Sequence, residues 1–576
     1  MNSTRMAPPR TRRVTVIAQD PSVRRGKRIV TGEVVIPRED LREGPWGHRV
    51  QIVDYDASLD RYRRPKAPPK KNDPFKDKDP DRLIADPEFH AWNCYAIVMS
   101  TLARFEFALG RRVAWSFGGH QIKVSPHAFA DANAFYSKQD EAILFGYFQG
   151  RSNTIFTCLS HDVISHETTH ALLDGLRERY MDPSSPDQAA FHEGFADIVA
   201  LLSVFALPGV VERIVDLGED GEQEKKNPPR RIPISRLTET RLFKGLLALG
   251  EEMGQEIQGV RGAALRQSGA IDPSPKWYKD DPEFEEPHRR GEILVAAVLH
   301  AFVAAWRHRL AGMGAESELL DDGKTLDRER VVEEGATLAA TLLTSAIRAL
   351  DYAPTVDLKF GDYLSALLTG DREVRADDKK YDLRRRLRQT FASYGIRPRG
   401  DIADDGAWPH AAPGLHYSGV HLASLQHDPD EVFRFLWDNR DELSLDEGAY
   451  TEVLSVRPCT RVDPDDGFTL HETVAQYVQI RRLRADELKS VDVRRPDDMP
   501  LDTEVTLYGG GALVFDEFGH LKYHIGKSVS GSDQSEQLLR RWNSGAFEAD
   551  RRRIRRFAAL HLRRAAGSAL GKKEEW

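Results

Sequence analysis

Two histidines four residues apart, with a glutamate directly after the first, constrain this chain more than any other feature. They form His166-Glu167-Thr168-Thr169-His170, inside the run from His161 to Asp174. At about 100° per residue, positions i and i+4 differ by about 40° around a helix, so both imidazoles leave one face, one turn apart. That is the geometry for two ligands of a tetrahedral metal. Glu167 can then reach a water at an open position without entering the coordination sphere. The same spacing also fits two histidines that coincide on an amphipathic helix, so the rest of the chain must supply a third ligand.

The type of that ligand decides the subclass. A metzincin extension needs Gly where Leu173 stands and His where Leu176 stands, and both are absent. Downstream, Phe191 to Leu202 reads as a second helix, and its Glu193 offers a carboxylate. Asp197 lies one turn further on the same face, placed to accept the remaining N–H of a ligand histidine and fix its tautomer. Glu193 and Asp197 also fit a solvated acidic pair, but apolar residues on both sides argue against it. Two histidines and one glutamate leave a coordination position open, which marks a catalytic site over a structural one.

These residues resemble the thermolysin-like gluzincin metallopeptidases. The family's aspartates, four residues before the first histidine and four after the second, are matched by Asp162 and Asp174, and its ExxxD by Glu193 and Asp197. Upstream, Asn133-Ala134-Phe135-Tyr136 followed by Ala142 to Gly146 is similar to the family's substrate-binding edge strand. Ala264-Leu265-Arg266 resembles the segment that carries its substrate-binding arginine. His288 stands where the family opens a helix with a histidine that steadies the transition state. Leu387 to Ile396 is similar to its closing helix. The likeness runs in order from about Asp86 to Arg397.

The resemblance implies an α+β fold: a two-lobed thermolysin-like domain with an N-terminal β-rich lobe, a C-terminal helical lobe and the HExxH helix between them. It implies one zinc ion on His166, His170 and Glu193, with Glu167 as general base and Asp197 and Asp174 in support. His288 and Tyr180 would donate to the oxyanion. Asn133 and Ala134 would pair with an extended substrate, and Arg266 would hold a substrate carbonyl. Phe156, Leu159, Val163 and Leu265 would line an apolar pocket, although each fits ordinary core equally well. Three departures stand out. The loop around Met181 to Pro186 is longer than the family's, so Tyr180 is matched by position only. His192 replaces the usual asparagine before the glutamate. Leu201 to Phe205 replaces the acidic run that binds calcium, which argues against Ca2+ even though Asp162 remains.

The length of 576 residues leaves room for flanking domains. Short β-branched runs (Val14 to Ala18, Arg28 to Thr31, Val50 to Val53) predict an N-terminal β-rich region over 1–64. A Pro/Lys-rich linker or covering loop follows over 65–85, then the metallopeptidase domain over 86–397. A C-terminal α+β domain is expected over 398–540, with Gly509 to Gly511 as a turn and a hairpin from Ala512 to Ile525. A basic helix over 541–576 completes the chain; solvation or domain packing explains it better than contact with nucleic acid or membrane. His161 and His192 are expected beside the ligands or at the surface, and Cys158 as a small buried residue.

A net charge of -8 argues against a protein built to coat nucleic acid. Three dispersed cysteines without a CxxC pair exclude a disulfide framework and a cysteine zinc cage, and they suit a reducing compartment. No stretch reaches the ~18 apolar residues of a membrane span and no secretory signal is evident, so membrane insertion is not expected and cytoplasmic residence is. The expected partner is a peptide or protein substrate, with the C-terminal domain as the candidate surface for a further protein. The rival to a zinc endopeptidase is a catalytically silent, zinc-stabilised scaffold or protein-binding module. The presence of Glu167 and His288 argues against it.

Overall fold

A computed structural model describes residues 10–21, 24–25, 28–66, 72–150, 153–181, 184–217, 229–254, 271–318, 324–400 and 405–543. The chain is mixed α+β. Strands β1 (Thr11–Ile17) and β2 (Thr31–Pro37) form an antiparallel hairpin with Val14 opposite Val34. Val14 to Ile17 are buried throughout, whereas in the second strand Val34 and Ile36 turn to the core and Val35 faces out, the period-2 pattern of a half-buried strand. The predicted Arg28 to Thr31 run is strand in part: Arg28–Ile29 pairs with Arg24–Arg25 in a short antiparallel ladder, and Thr31 opens the longer strand. Asp73 accepts the Thr15 N–H at 2.9 Å and its hydroxyl at 2.7 Å, and buried Phe75 meets Phe89 edge-on at 5.2 Å. Residues 72–85 therefore cover the hairpin.

Strand β3 (Val50–Ile52) precedes the long helix α1 (Pro87–Leu109). Asp86 caps α1 by accepting the Glu88 N–H, with Pro87 in the first turn. Gly110 ends it at φ 68°, where a Cβ would lie 2.3 Å from the Thr460 carbonyl oxygen, so both the conformation and the approach require glycine. Four strands follow or flank it in sequence: β4 (Ile122–Phe129), β5 (Ala134–Ser137), β6 (Ala142–Gln149) and β7 (Thr154–Phe156). Strand β4 runs parallel to both β3 and β6, while β5 and β7 pair antiparallel with β6. The strand-rich interval expected between Val113 and Phe148 is present, and β3 joins its sheet from before the Pro/Lys-rich segment.

Helices α2 (His161–Leu176) and α3 (Pro186–Phe205) pack on each other and carry the HExxH and ExxxD residues. Helix α4 (Pro287–Glu318) lies against α3, followed by α5 (Arg328–Arg348), α6 (Phe360–Val374) and α7 (Leu383–Ser393). A Cβ on Gly194 would lie 2.9 Å from the Gly291 carbonyl oxygen, and one on Gly291 would lie 3.1 Å from the Gly194 nitrogen. This glycine pair brings the backbones of α3 and α4 together and thereby seats His288 near Glu193. Within α4, Pro287–Gly314 is long and apolar enough to cross a membrane, contrary to expectation, and 78% of its most apolar window is buried inside the fold. A core helix that is apolar all round reads the same way as a span.

The C-terminal part opens with α8 (Pro429–Asp438) and continues as a four-stranded antiparallel meander: β8 (Tyr450–Val462), β9 (Thr469–Arg484), β10 (Glu504–Phe515) and β11 (Leu521–Lys527). Helix α9 (Ser532–Asn543) follows. The hairpin from Ala512 to Ile525 is present, with Phe515 opposite Leu521. Gly509 to Gly511 do not form a turn; they lie inside β10 opposite Gln479 to Tyr477. A Cβ on Gly510 would lie 2.4 Å from the Tyr477 carbonyl oxygen, so these glycines serve close backbone packing within a strand. Ala512, Val514, Tyr523 and Ile525 belong to the main core that begins at Val14, so the meander is packed into the body. A buried ion network crosses that seam. Arg461 pairs with Glu472 and, at 2.6 Å, with Asp351, while Arg111 holds Asp351 at 2.7 Å and Lys522 holds Glu472 at 2.8 Å. The basic C-terminal helix, apart from its start at 541–543, falls outside the described residues.

Candidate metal centre

Helix α2 is buried from His161 through Asp174, so its histidines point into protein and not into water. The rings of His166 and His170 lie 4.4 Å apart and nearly perpendicular. From α3, Glu193 Oε2 stands 3.7 Å from His166 Nε2, and Glu193 Oε1 stands 3.7 Å from His170 Nε2. These three buried residues could hold a metal ion.

The protonation pattern fits an ion. His166 Nδ1 lies 2.7 Å from Asp197 Oδ1, so Nδ1 carries the proton and Nε2 presents its lone pair. That lone pair is buried without a hydrogen-bond partner and faces a carboxylate oxygen, an arrangement of two acceptors that calls for a cation between them. Donors ~2.1 Å from one ion lie about 3.4 Å apart at the tetrahedral angle, close to the observed separations.

The surrounding residues complete the arrangement. The Asp197 contact is as expected. His192, at the asparagine position of the resemblance, places Nδ1 2.7 Å from Nδ1 of His170, with the rings stacked at 4.7 Å. Glu167 accepts the Tyr136 N–H of β5 at 3.0 Å, which ties the expected base to the expected substrate strand. His288 Nε2 stands 3.7 Å from Glu193 Oε2, and its Nδ1 lies 2.6 Å from Glu286. Burial would raise the Glu286 carboxyl, but its hydrogen bond to His288 and the Arg289 and His288 N–H groups hold it below the ordinary range. Sequence reasoning missed Glu286. Its signal is an acidic residue just before Pro287, the pattern of a helix cap, and it does accept the Arg289 N–H at 2.8 Å.

Other expectations need correction. Tyr180 is a core residue: its hydroxyl donates to the Pro354 carbonyl at 2.6 Å and its ring packs edge-on against Phe191. Burial pushes its pKa up to about 12. Asp174 contacts no ligand histidine; it accepts the Tyr136 hydroxyl at 3.1 Å and pairs with Lys138 at 3.5 Å, anchoring β5 to the end of α2. Leu159 and Val163 are buried in the main core, and Phe156 packs against the rings of His90 and His127 at 4.8 and 5.4 Å, so these three are core rather than pocket. Arg266 and Leu265 lie outside the described residues. Asn133 precedes β5, its side-chain oxygen accepting the Ala134 N–H at 2.9 Å. Ala134 is buried, and β5 pairs with β6 alone among the described strands. His161 is buried, and burial together with Arg104 lowers its pKa to about 3.

A scan against protein-family models finds no match, and a search of the curated proteins finds none either.

Proposed function

We propose that this chain is a zinc-dependent endopeptidase with a thermolysin-like two-lobed catalytic unit. The observation that carries the reading is the buried His166 lone pair facing Glu193, with Glu167 held next to the pair by a strand edge and not drawn into it. His166, His170 and Glu193 would hold the ion. When bound, zinc supplies Lewis acidity that makes hydroxide available near neutral pH and polarises a carbonyl.

This chain's own residues do the rest. Glu167, its carboxylate plane set by the Tyr136 N–H, takes the proton of the attacking water and returns it to the leaving amine. Glu286 accepts from His288 Nδ1, and its negative charge favours the imidazolium, whose Nε2–H faces the side of Glu193 where charge would develop. Strand β5, paired on one edge only among the described residues, offers backbone groups to an extended peptide. Three buried free cysteines suit the cytoplasmic residence that forms part of this proposal.

Metal analysis combined with cleavage of an unbiased peptide library by the full chain tests the reading. Zinc-dependent cleavage that Glu167→Gln abolishes while keeping the zinc is the expected result. Equal cleavage by both proteins would overturn the mechanism with Glu167 as base, and no cleavage by the zinc-loaded wild type would replace the endopeptidase with the silent scaffold.

A further inference from the structure

Away from the HExxH cluster, His90 of α1, His127 of β4 and Cys158, in the turn just before α2, bring three donor atoms within 4.8 Å of one another. All three side chains are buried to within 1% of complete. Their hydrogen bonds decide which nitrogens carry protons. His127 Nδ1 lies 2.9 and 3.0 Å from the two oxygens of Asp54, and Arg63 stands 3.6 Å from the same carboxylate. A carboxylate beside an arginine accepts, so His127 Nδ1 is the protonated nitrogen and Nε2 the bare one. His90 Nε2 lies 2.7 Å from the Ile84 carbonyl oxygen, which can only accept, so in His90 the bare nitrogen is Nδ1.

The two bare nitrogens face each other at 2.8 Å. Two lone pairs at that distance repel unless a cation lies between them. A shared proton is one solution; the sulfur of Cys158 close by makes a metal ion the better one. Carboxylate and carbonyl partners on the outer nitrogens are the orienting contacts that metal-bound histidines carry. The Cys94 thiol donates to the Cys158 carbonyl oxygen at 3.6 Å, and the Asn93 side-chain N–H donates to the same oxygen at 3.1 Å, which fixes the turn that carries the third donor.

We propose that His90, His127 and Cys158 form a second, structural metal site for a zinc-class ion, clamping α1, β4 and the turn that leads into the HExxH helix. Ligand nitrogens ~2.0–2.1 Å from zinc lie roughly 3.3 Å apart, so the rings open by roughly half an ångström to admit the ion. The surroundings are closed: the Phe156 ring packs on both histidines, and His90, His127 and Cys158 have no appreciable exposure. That suits a structural ion and excludes substrate access. The assignment rests on none of the residues of the endopeptidase reading.

Cobalt-substituted full-length protein tests it, because the HExxH cluster contains no sulfur. A thiolate-to-cobalt charge-transfer band is expected in wild type and in His170→Ala, and is expected to disappear in Cys158→Ser. Elemental analysis of the zinc-loaded protein is expected to give two equivalents in wild type and one in each variant. The wild-type spectrum is informative even if Cys158→Ser fails to fold. A cobalt-loaded wild type without the thiolate band, or a band that persists in Cys158→Ser, overturns the site and leaves a shared proton between the two rings. Loss of the endopeptidase reading alone would leave the band in place.

Discussion

The Nδ1 atoms of His170 and His192 lie 2.7 Å apart, so one imidazole orients another beside the candidate metal. If His170 binds through Nε2, its Nδ1 must donate and His192 must accept. Partners of this kind typically contribute 10–100-fold in metal affinity. His192→Ala should therefore weaken zinc binding by about that factor, measured by competition with a chromophoric chelator. His192→Asn keeps an acceptor and should restore most of the loss. Equal weakening by Ala and Asn would mean that ring stacking, and not the hydrogen bond, holds His170.

Glu167 and His288 divide the chemistry unequally. Glu167→Gln removes the proton acceptor and should lower kcat by ~10²–10⁴-fold with zinc content unchanged. His288→Ala should cost less, since it removes one donor to the developing charge. Glu286→Ala removes the Nδ1 partner of His288 as well as the cap on the Arg289 N–H, so its loss in kcat should not exceed that of His288→Ala, and the double variant should lose little further in kcat while melting lower. Steady-state kinetics on a peptide found by the library screen measures all four.

The local part of this site was legible in the sequence because helical spacing is local. His166, Glu167, His170, Glu193 and Asp197 fall on two helices whose periodicity needs no tertiary knowledge. The stacking of His192 on His170 depends on how α2 and α3 pack, which no spacing encodes. Tyr180 was misplaced because the partner of its hydroxyl, Pro354, is 174 residues away. Gly509 to Gly511 read as a turn by composition, whereas the strand packs against Tyr477 too closely for side chains. His90, His127 and Cys158 have no common spacing, so only the folded sheet brings them together.

The α3–α4 glycine pair predicts a packing defect that reaches the site. Gly194→Ala would place a Cβ 2.9 Å from the Gly291 carbonyl oxygen, too close without a backbone shift. Overpacking of this kind costs about 1–3 kcal/mol, and the displacement should also carry His288 away from Glu193. Thermal melts should show the loss of stability, and kcat should fall with zinc content preserved.

The Arg461 network should hold the meander to the body. Arg461 is fully buried between Asp351 and Glu472, and the charge of Arg111 beside Asp351, with that of Arg461, outweighs burial and holds the Asp351 carboxyl well below the ordinary range. Arg461→Met leaves Asp351 with Arg111, and Glu472 with Lys522 and the Tyr352 hydroxyl, and removing one partner of a buried ion pair costs about 3–5 kcal/mol. Denaturant unfolding followed through the meander should reveal the loss.

At the start of α2, two buried groups titrate against each other. Asp162 is raised to about 7, by burial first and then by Asp20, whose carboxylate shares the Ser160 hydroxyl at 2.7 and 2.8 Å. A carboxyl whose folded pKa is raised stabilises fully below its unfolded value of about 3.9 and loses that contribution as pH rises through about 7. His161, lowered to about 3, behaves oppositely: its contribution is complete above about 6.5 and is lost as pH falls toward 3. Between about pH 4 and 6.5 the two slopes nearly cancel in the wild type. Asp162→Asn removes one of them without changing shape. The variant should be more stable than wild type at pH 8 by roughly 2–4 kcal/mol, and the advantage should shrink steadily to near zero at pH 4. Unfolding of chelator-treated wild type and variant across that range measures the difference free of metal release. A pH-independent difference would place Asp162 in the ionised state throughout and assign the Ser160 proton to it permanently.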